Sequence, residues 1–177
     1  MADLLRDMPL SADVIDYSEL KIKPQHLGVV MVQQSDIVAK SPRDLPSFGN
    51  VMMQDGVTIF SAIPNQWLHI CQLDKIDEAI ANYKAKITSE NIVISCMSDQ
   101  YIVFEINGDQ AQNLLAKGCE LDLSISNFKQ NSCARTLLAH LNVVIWRETD
   151  DGFKLLIDAS FAAHLWLWLE GAALEFG

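Results

Sequence analysis

Apolar residues along this chain change their spacing several times, and each change marks an element. From Val57 to Ile63 the run VTIFSAI is apolar and rich in β-branched residues, Pro64 and Asn65 break it, and Trp67 to Ile70 forms a second apolar run. Two strands joined by a Pro-Asn turn are predicted. Ile76, Ala79, Ile80, Tyr83 and Ile87 then recur at three- and four-residue intervals behind Asp74, which stands at a capping position. That spacing predicts a helix packed on the strands. Strand texture returns at 92–97 and 101–106, with Ser98, Asp99 and Gln100 between the two runs, and predicts a hairpin. Asn107 and Gly108 turn the chain and Asp109 is placed to cap. Ala111, Leu114 and Leu115 form the stripe of a short helix that stops at Gly118.

Beyond a long loop, residues 135–141 and 142–147 are apolar and partly β-branched, residues 149–152 form a charged turn, and residues 153–157 form a last strand. Ser160 opens a C-terminal helix. The alternation predicts an α+β domain, with helices on one face of a mostly antiparallel sheet, over residues 51–177. Residues 1–50 read differently. Pro9 and Pro24 interrupt a stretch of scattered charges, so residues 1 to about 25 are expected to be an extended arm, frayed or strapped onto a partner. After the apolar GVVMV, the segment 40–49 holds Pro42, Pro46 and Gly49 and is expected to be a loop.

The C-terminal helix has more apolar surface than one core needs. At 100° per residue, Trp168, Phe161, Ala172, Leu165, Phe176, Leu169, Ala173 and Trp166 fill an arc about 160° wide, enough for a domain-facing side. Leu167 and Leu174, with Ala163 beside them, fall on the opposite side, where a monomer places charge. Either another part of the chain covers them or a protein partner does.

Composition narrows the function. Thirteen basic against twenty-three acidic residues give a net charge of -10, which disfavours nucleic acid and anionic membrane surfaces. The apolar run 161–169 falls short of the roughly 20 residues that span a bilayer, and no signal segment opens the chain, so a cytoplasmic location is expected. Cys71, Cys96, Cys119 and Cys133 form no C-x-x-C pair and read as free thiols. His26, His69, His140 and His164 lie in different elements without metal-ligand spacing, and no nucleotide-binding glycine motif or nucleophile elbow occurs.

The segment that remains is 117–135, KGCELDLSISNFKQNSCAR, too long for a bare connector. Within it Asp122 lies between two leucines, where a carboxylate needs hydrogen bonds, and the amides of its own loop are the simplest donors. Arg135 is a fair partner for an anionic ligand or for a neighbouring acid, Glu120 or Asp122.

Residues 116–119, 121–123, Phe128, 133–137, Trp146-Arg147 and the C-terminal SFAAHLWLWLEGAALEFG together resemble the gamma subunit family of heterotetrameric sarcosine oxidase, over roughly residues 56–177. That resemblance implies a small non-catalytic subunit, partnered by alpha, beta and delta subunits and prone to self-association when isolated. The complex would convert sarcosine and O2 to glycine and H2O2 and pass the one-carbon unit to tetrahydrofolate. FAD, FMN, NAD and zinc would lie in the other subunits. Residues 95–138 also resemble the folate-binding aminomethyltransferase pattern, in which an aspartate at the place of Asp122 faces the folate. Arg135 would then be a candidate partner for a cofactor carboxylate. The chain departs from that pattern at Cys96, Met97 and Ser98, and is about half a full aminomethyltransferase in length. The other class the resemblance leaves open is a free-standing folate-dependent transferase or folate-sensing protein.

Overall fold

The computed structural model describes residues 13–35, 44–54, 56–86 and 91–177. Eleven strands and three helices are found among them: β1 (Ile15–Tyr17), β2 (Leu20–Gln25), β3 (Gly28–Gln34), β4 (Val51–Gln54), β5 (Val57–Ile63), β6 (Gln66–Cys71), α1 (Ile76–Lys86), β7 (Ile92–Cys96), β8 (Tyr101–Asn107), α2 (Ala111–Ala116), β9 (Cys133–Leu138), β10 (Leu141–Thr149), β11 (Gly152–Asp158) and α3 (Ala159–Ala173). The strands form two antiparallel sheets, ordered β1-β2-β8-β11-β10-β9 and β4-β5-β6-β3-β7. The expected antiparallel α+β architecture is present, divided between two sheets instead of one.

Alternation along the strands explains the division. In β8, Ile102, Phe104 and Ile106 point to one side and Val103 to the other, and all four are buried. The first set joins Leu155, Ile157, Leu114, Leu165 and Leu169 in a core between the first sheet and the helices α2 and α3. The second side, with Val144, Trp146 and Leu156, packs face to face on Val29, Phe60, Leu68 and Ile70 of the second sheet. Its outer face is covered by Ile76 and Ala79 of α1 against Val30 and Cys71. A strand buried on both faces reads as a continuous apolar run, which is the pattern of YIVFEI and VVIW.

Several expectations are corrected. Residues 15–25 are not an arm: β2 lies between β1 and β8, pairing Ile22 with Ile106, because its alternate Leu20 and Ile22 have a core to enter. Residues 1–12 and 36–43 lie outside the described residues, as does Ile87. The strands β7 and β8 are not a hairpin. β7 pairs with β3 in the second sheet and β8 with β2 and β11 in the first, so residues 98–100 carry the chain from sheet to sheet. Buried Ser98 holds that crossing, its hydroxyl accepting the Val29 N–H at 2.9 Å. The β9–β10 turn falls at Ala139-His140 and not at 141–142. Asp74 sits inside a 3-10 turn, Leu73–Lys75, and Gln110 holds the capping position of α2, so neither Asp74 nor Asp109 is the cap.

The real side-chain cap is Asp158 at the start of α3, whose carboxylate accepts the Ser160 N–H at 3.0 Å. Among the described residues no helix is long and apolar enough to cross a membrane.

The hydrogen bonds from Ser160 hold the Asp158 carboxyl below its ordinary range. A depressed carboxylate contributes stability above the unfolded-state value, about 4, and loses it as pH falls through the lower folded-state value. Asp158→Ala is expected to reduce stability at neutral pH by about 1 kcal/mol. Asp158→Asn should retain most of the cap while losing its acid sensitivity, as urea unfolding at pH 7 and pH 3 would measure.

Candidate functional site

The segment 117–132 is held from below by Arg147, near the end of β10, which is only 1 % exposed. Its guanidinium donates to the Leu123 carbonyl in the segment, to the Asp150 carbonyl in the β10–β11 turn, and to Gln112 Oε1 of α2 at 3.2 Å. It also lies 4.3 Å from the centre of the Phe153 ring. The Arg147 main chain adds two bonds, from Asn131 N–H to its carbonyl at 2.9 Å and from its own N–H to Ser132 at 3.1 Å. Leu123 and Phe128 enter the helix-side core. A fixed charge thus anchors a loop that has few other interior contacts. Burial pulls the Arg147 pKa down from its ordinary value. Its role was not read from the sequence, where an arginine ending the run VVIWR looks like the solvent end of a strand.

Asp122 is exposed in the same loop. One oxygen accepts the Ser124 N–H at 2.9 Å and the other accepts from the Asn127 side-chain amide. These bonds, the Ser124 backbone bond first, lower its pKa. The expected loop donors are present, and the burial expected from its flanking leucines is not.

Arg135 lies elsewhere. It stands on β9 at the rim of a cleft of about 410 Å³, together with Tyr101, His140, Asn142, Asp158 and Phe161, over a floor of Leu68, Val144 and Leu156. This is where the first sheet extends past the second. Among the described residues Arg135 forms no ion pair, so the expected pairing with Glu120 or Asp122 is not found. Asp122 lines neither this cleft nor a second one, of about 570 Å³, bordered by Lys117, Cys119, Glu120, His140, His164 and Trp168.

The hairpin tip between the clefts is strained. Ala139 and His140 have φ of 51° and 65°, a left-handed pair that two-residue hairpin turns usually assign to Asn and Gly. The Ala139 N–H donates to the Gly118 carbonyl at 3.0 Å. Gly118 is required at that approach, because a Cβ there would meet the Trp168 ring at 2.6 Å. Lys117 reaches the other end of α3, pairing with Glu175 at 2.7 Å and lying 4.5 Å over the Phe176 ring. A cation at a helix C-terminus is favoured by the helix dipole.

Ala162, Leu165, Trp166, Leu169 and Ala173 of α3 are buried. Leu167 and Leu174 are 67 % and 72 % exposed, and Ala163 is exposed beside them. Phe161, expected on the domain side, is 52 % exposed at the start of the helix, where it lines the Arg135 cleft.

The thiols are free, and burial raises those of Cys71 and Cys133, the latter to about 12. Such thiols are poor nucleophiles at neutral pH. No group of three or more potential metal ligands is found among the described residues. His69 and Tyr83 form a half-buried polar pair, Nδ1 to hydroxyl 3.0 Å, where α1 meets β6; desolvation lowers the first pKa and raises the second to about 12.

Residues 44–175 match the family model described as sarcosine oxidase, gamma subunit family. Sarcosine oxidase subunit gamma of Corynebacterium sp. (strain P-1) is 30 % identical over 122 residues, covering 69 % of this chain and 59 % of that protein. The chain thus spans somewhat over half the length of that relative. A heterotetrameric sarcosine oxidase from Corynebacterium sp. U-96, solved with pyrrole 2-carboxylate, contains a chain that superposes with TM-score 0.78 at 21 % identity, over 92 % of this chain and 88 % of that one. The glycine cleavage system aminomethyltransferase T from Bartonella henselae superposes with TM-score 0.63 at 12 % identity, over 88 % of this chain and 46 % of that one. These structural likenesses concern the fold.

Removing the Arg147 side chain leaves the buried Leu123 carbonyl without its donor and frees the β10–β11 turn at Asp150. Arg147→Ala is expected to destabilise the chain by about 2–4 kcal/mol, read as a lowered urea midpoint. Loop 117–132 should also become sensitive to limited proteolysis under native conditions, whereas an Asp122→Asn chain should unfold close to the parent.

Proposed function

The chain belongs to the sarcosine oxidase gamma subunit family, and from that premise we propose that it is a non-catalytic subunit of a cytoplasmic heterotetrameric sarcosine oxidase. The observation that carries this reading is the outward face of α3. Leu167 and Leu174 stand in solvent on a helix whose other side already fills the core. Covering such side chains contributes about 1.5–3 kcal/mol each, and apolar surface gathered in this way marks a protein interface. Ala163, Leu167 and Leu174 are its centre.

The complex would oxidise sarcosine with O2 to glycine and H2O2 and pass the one-carbon unit to tetrahydrofolate. FAD, FMN and NAD are assigned to the alpha, beta and delta partners. Asp122 has an oxygen engaged by Ser124 and the other by Asn127, and it lines neither of the two clefts described above. Its geometry supports a local role, shaping the loop that Arg147 anchors. In the complex the chain stiffens a larger neighbour by presenting a rigid apolar helix.

Co-expression with the flavin-bearing subunits should yield a complex that co-elutes in size exclusion. Leu167→Asp with Leu174→Asp is expected to weaken that association at least 100-fold, while the isolated chain unfolds within about 0.5 kcal/mol of the parent, as exposed substitutions do. A double variant that still assembles, or a parent chain that binds tetrahydrofolate one-to-one by titration and never joins a flavoprotein, would refute the proposal.

A further inference from the structure

The two sheets present four edges, and three of them are blunted by the chain itself. β9 and β4 cover each other: the Cys133 N–H donates to the Gly49 carbonyl at 2.9 Å, the Val51 N–H donates to the Asn131 carbonyl at 2.7 Å, and Asn50 bridges Ser132. The far end of β9 is closed by the bond from Ala139 to Gly118. β1 is only three residues long, and its central Asp16 is paired with Lys21. Short strands and charges are the usual protection of a sheet edge.

β7 has none of these devices. Its sequence, Ile92-Val93-Ile94-Ser95-Cys96, holds no charge and no proline. The register with β3 sets Val93 opposite Gln33 and Ser95 opposite Met31. The flanking bonds, Ser35 N–H to Asn91 and Met97 N–H to Val29, fix the odd-numbered residues as those bonded inward. By the alternation of an antiparallel ladder, the N–H and C=O groups of Ile92, Ile94 and Cys96 point outward. Among the described residues they have no partner. Ile94 packs toward the α1 side of the sheet, while Val93, on the opposite face, is 56 % exposed.

We propose that β7 is a strand-accepting edge: an extended, uncharged segment of a partner chain adds to it as the sixth strand of the second sheet. Outward-facing main-chain donors and acceptors in this array are complementary to extended backbone and to little else. A second copy of this chain is the less suitable occupant. Each copy carries a net charge of -10, which opposes the approach of two copies. The inference rests on the subunit reading and extends it. The partner is gripped at two separate places, by side chains on α3 and by main chain on β7.

Hydrogen exchange read by mass spectrometry on the peptide spanning β7, in the isolated chain and in the co-expressed complex, tests it. The expected result is fast exchange of the outward amides of Ile92, Ile94 and Cys96 in the isolated chain and at least 100-fold slower exchange of the same amides in the complex, the inward amides being protected in both. Ile94→Pro removes an outward donor and leaves the inward bonds of Val93 and Ser95 in place. Val93→Lys sets a charge beside the edge without touching the core. Each should weaken assembly at least tenfold, and Val93→Thr should not. A complex that forms with the outward amides unprotected overturns the strand addition alone. Their protection already present in the monomeric chain overturns it in favour of another segment of this chain, and protection that appears only with concentration-dependent dimerisation overturns it in favour of a second copy. Failure to assemble at all overturns the subunit reading and this inference together.

Discussion

One buried guanidinium joins the parts of this molecule that sheet pairing alone leaves separate. Strands register themselves through their ladders, but loop 117–132, helix α2 and the β10–β11 turn have no ladder in common. Arg147 supplies the connection, with donors to each of the three and the Phe153 ring beneath it. Burying a cation is costly unless its donors are used. Both terminal nitrogens are engaged in this way, while Nε stays buried without a partner among the described residues. The position of Asp122, Phe128 and the start of β9 follows from that anchor.

The same anchor explains how the sandwich is closed. Asn131 and Ser132, tied to the Arg147 main chain, are the residues against which β4 and its neighbour Asn50 pair. The first and second sheets are therefore joined along the β9–β4 side and separate along the side of β1 and β7. Helices cover the outer faces, α2 and α3 on the first sheet and α1 on the second. Apolar surface is left over on α3 and main-chain surface on β7, and these are the two kinds of surface that association can use.

Much of this was legible in the sequence where the information is local. The stripe Ala111, Leu114 and Leu115 is fully buried, and the strands on either side of Pro64-Asn65 lie where the β-branched runs place them. Exposed Leu167 and Leu174 follow from counting angles around a helix. What escaped was long-range. Two apolar runs separated by Ser98, Asp99 and Gln100 look like a hairpin, and only the hydroxyl of Ser98 reaching Val29, 69 residues away, sends them to different sheets. Residues 15–25 look like an arm because a six-residue strand with a proline is persuasive only beside β8. Arg147 carries no local sign of burial, since its partners come from three separate stretches. Asp122 was expected between walls of leucine, yet its neighbours turn inward and leave it in water.

The order of strands in the first sheet also governs how the chain must be made. β2 is seated between β1 and β8, so on the ribosome it finds its neighbour only about 80 residues later. At ordinary translation speeds that delay is on the order of ten seconds. During it the apolar sides of β2 and β3 have no finished sheet to join, and pairings of such wide separation are intrinsically slow to form. Completion of the sandwich therefore waits until β10, β11 and α3 have been made. Until then the nascent polypeptide is open and apolar, and its yield depends on what shields it.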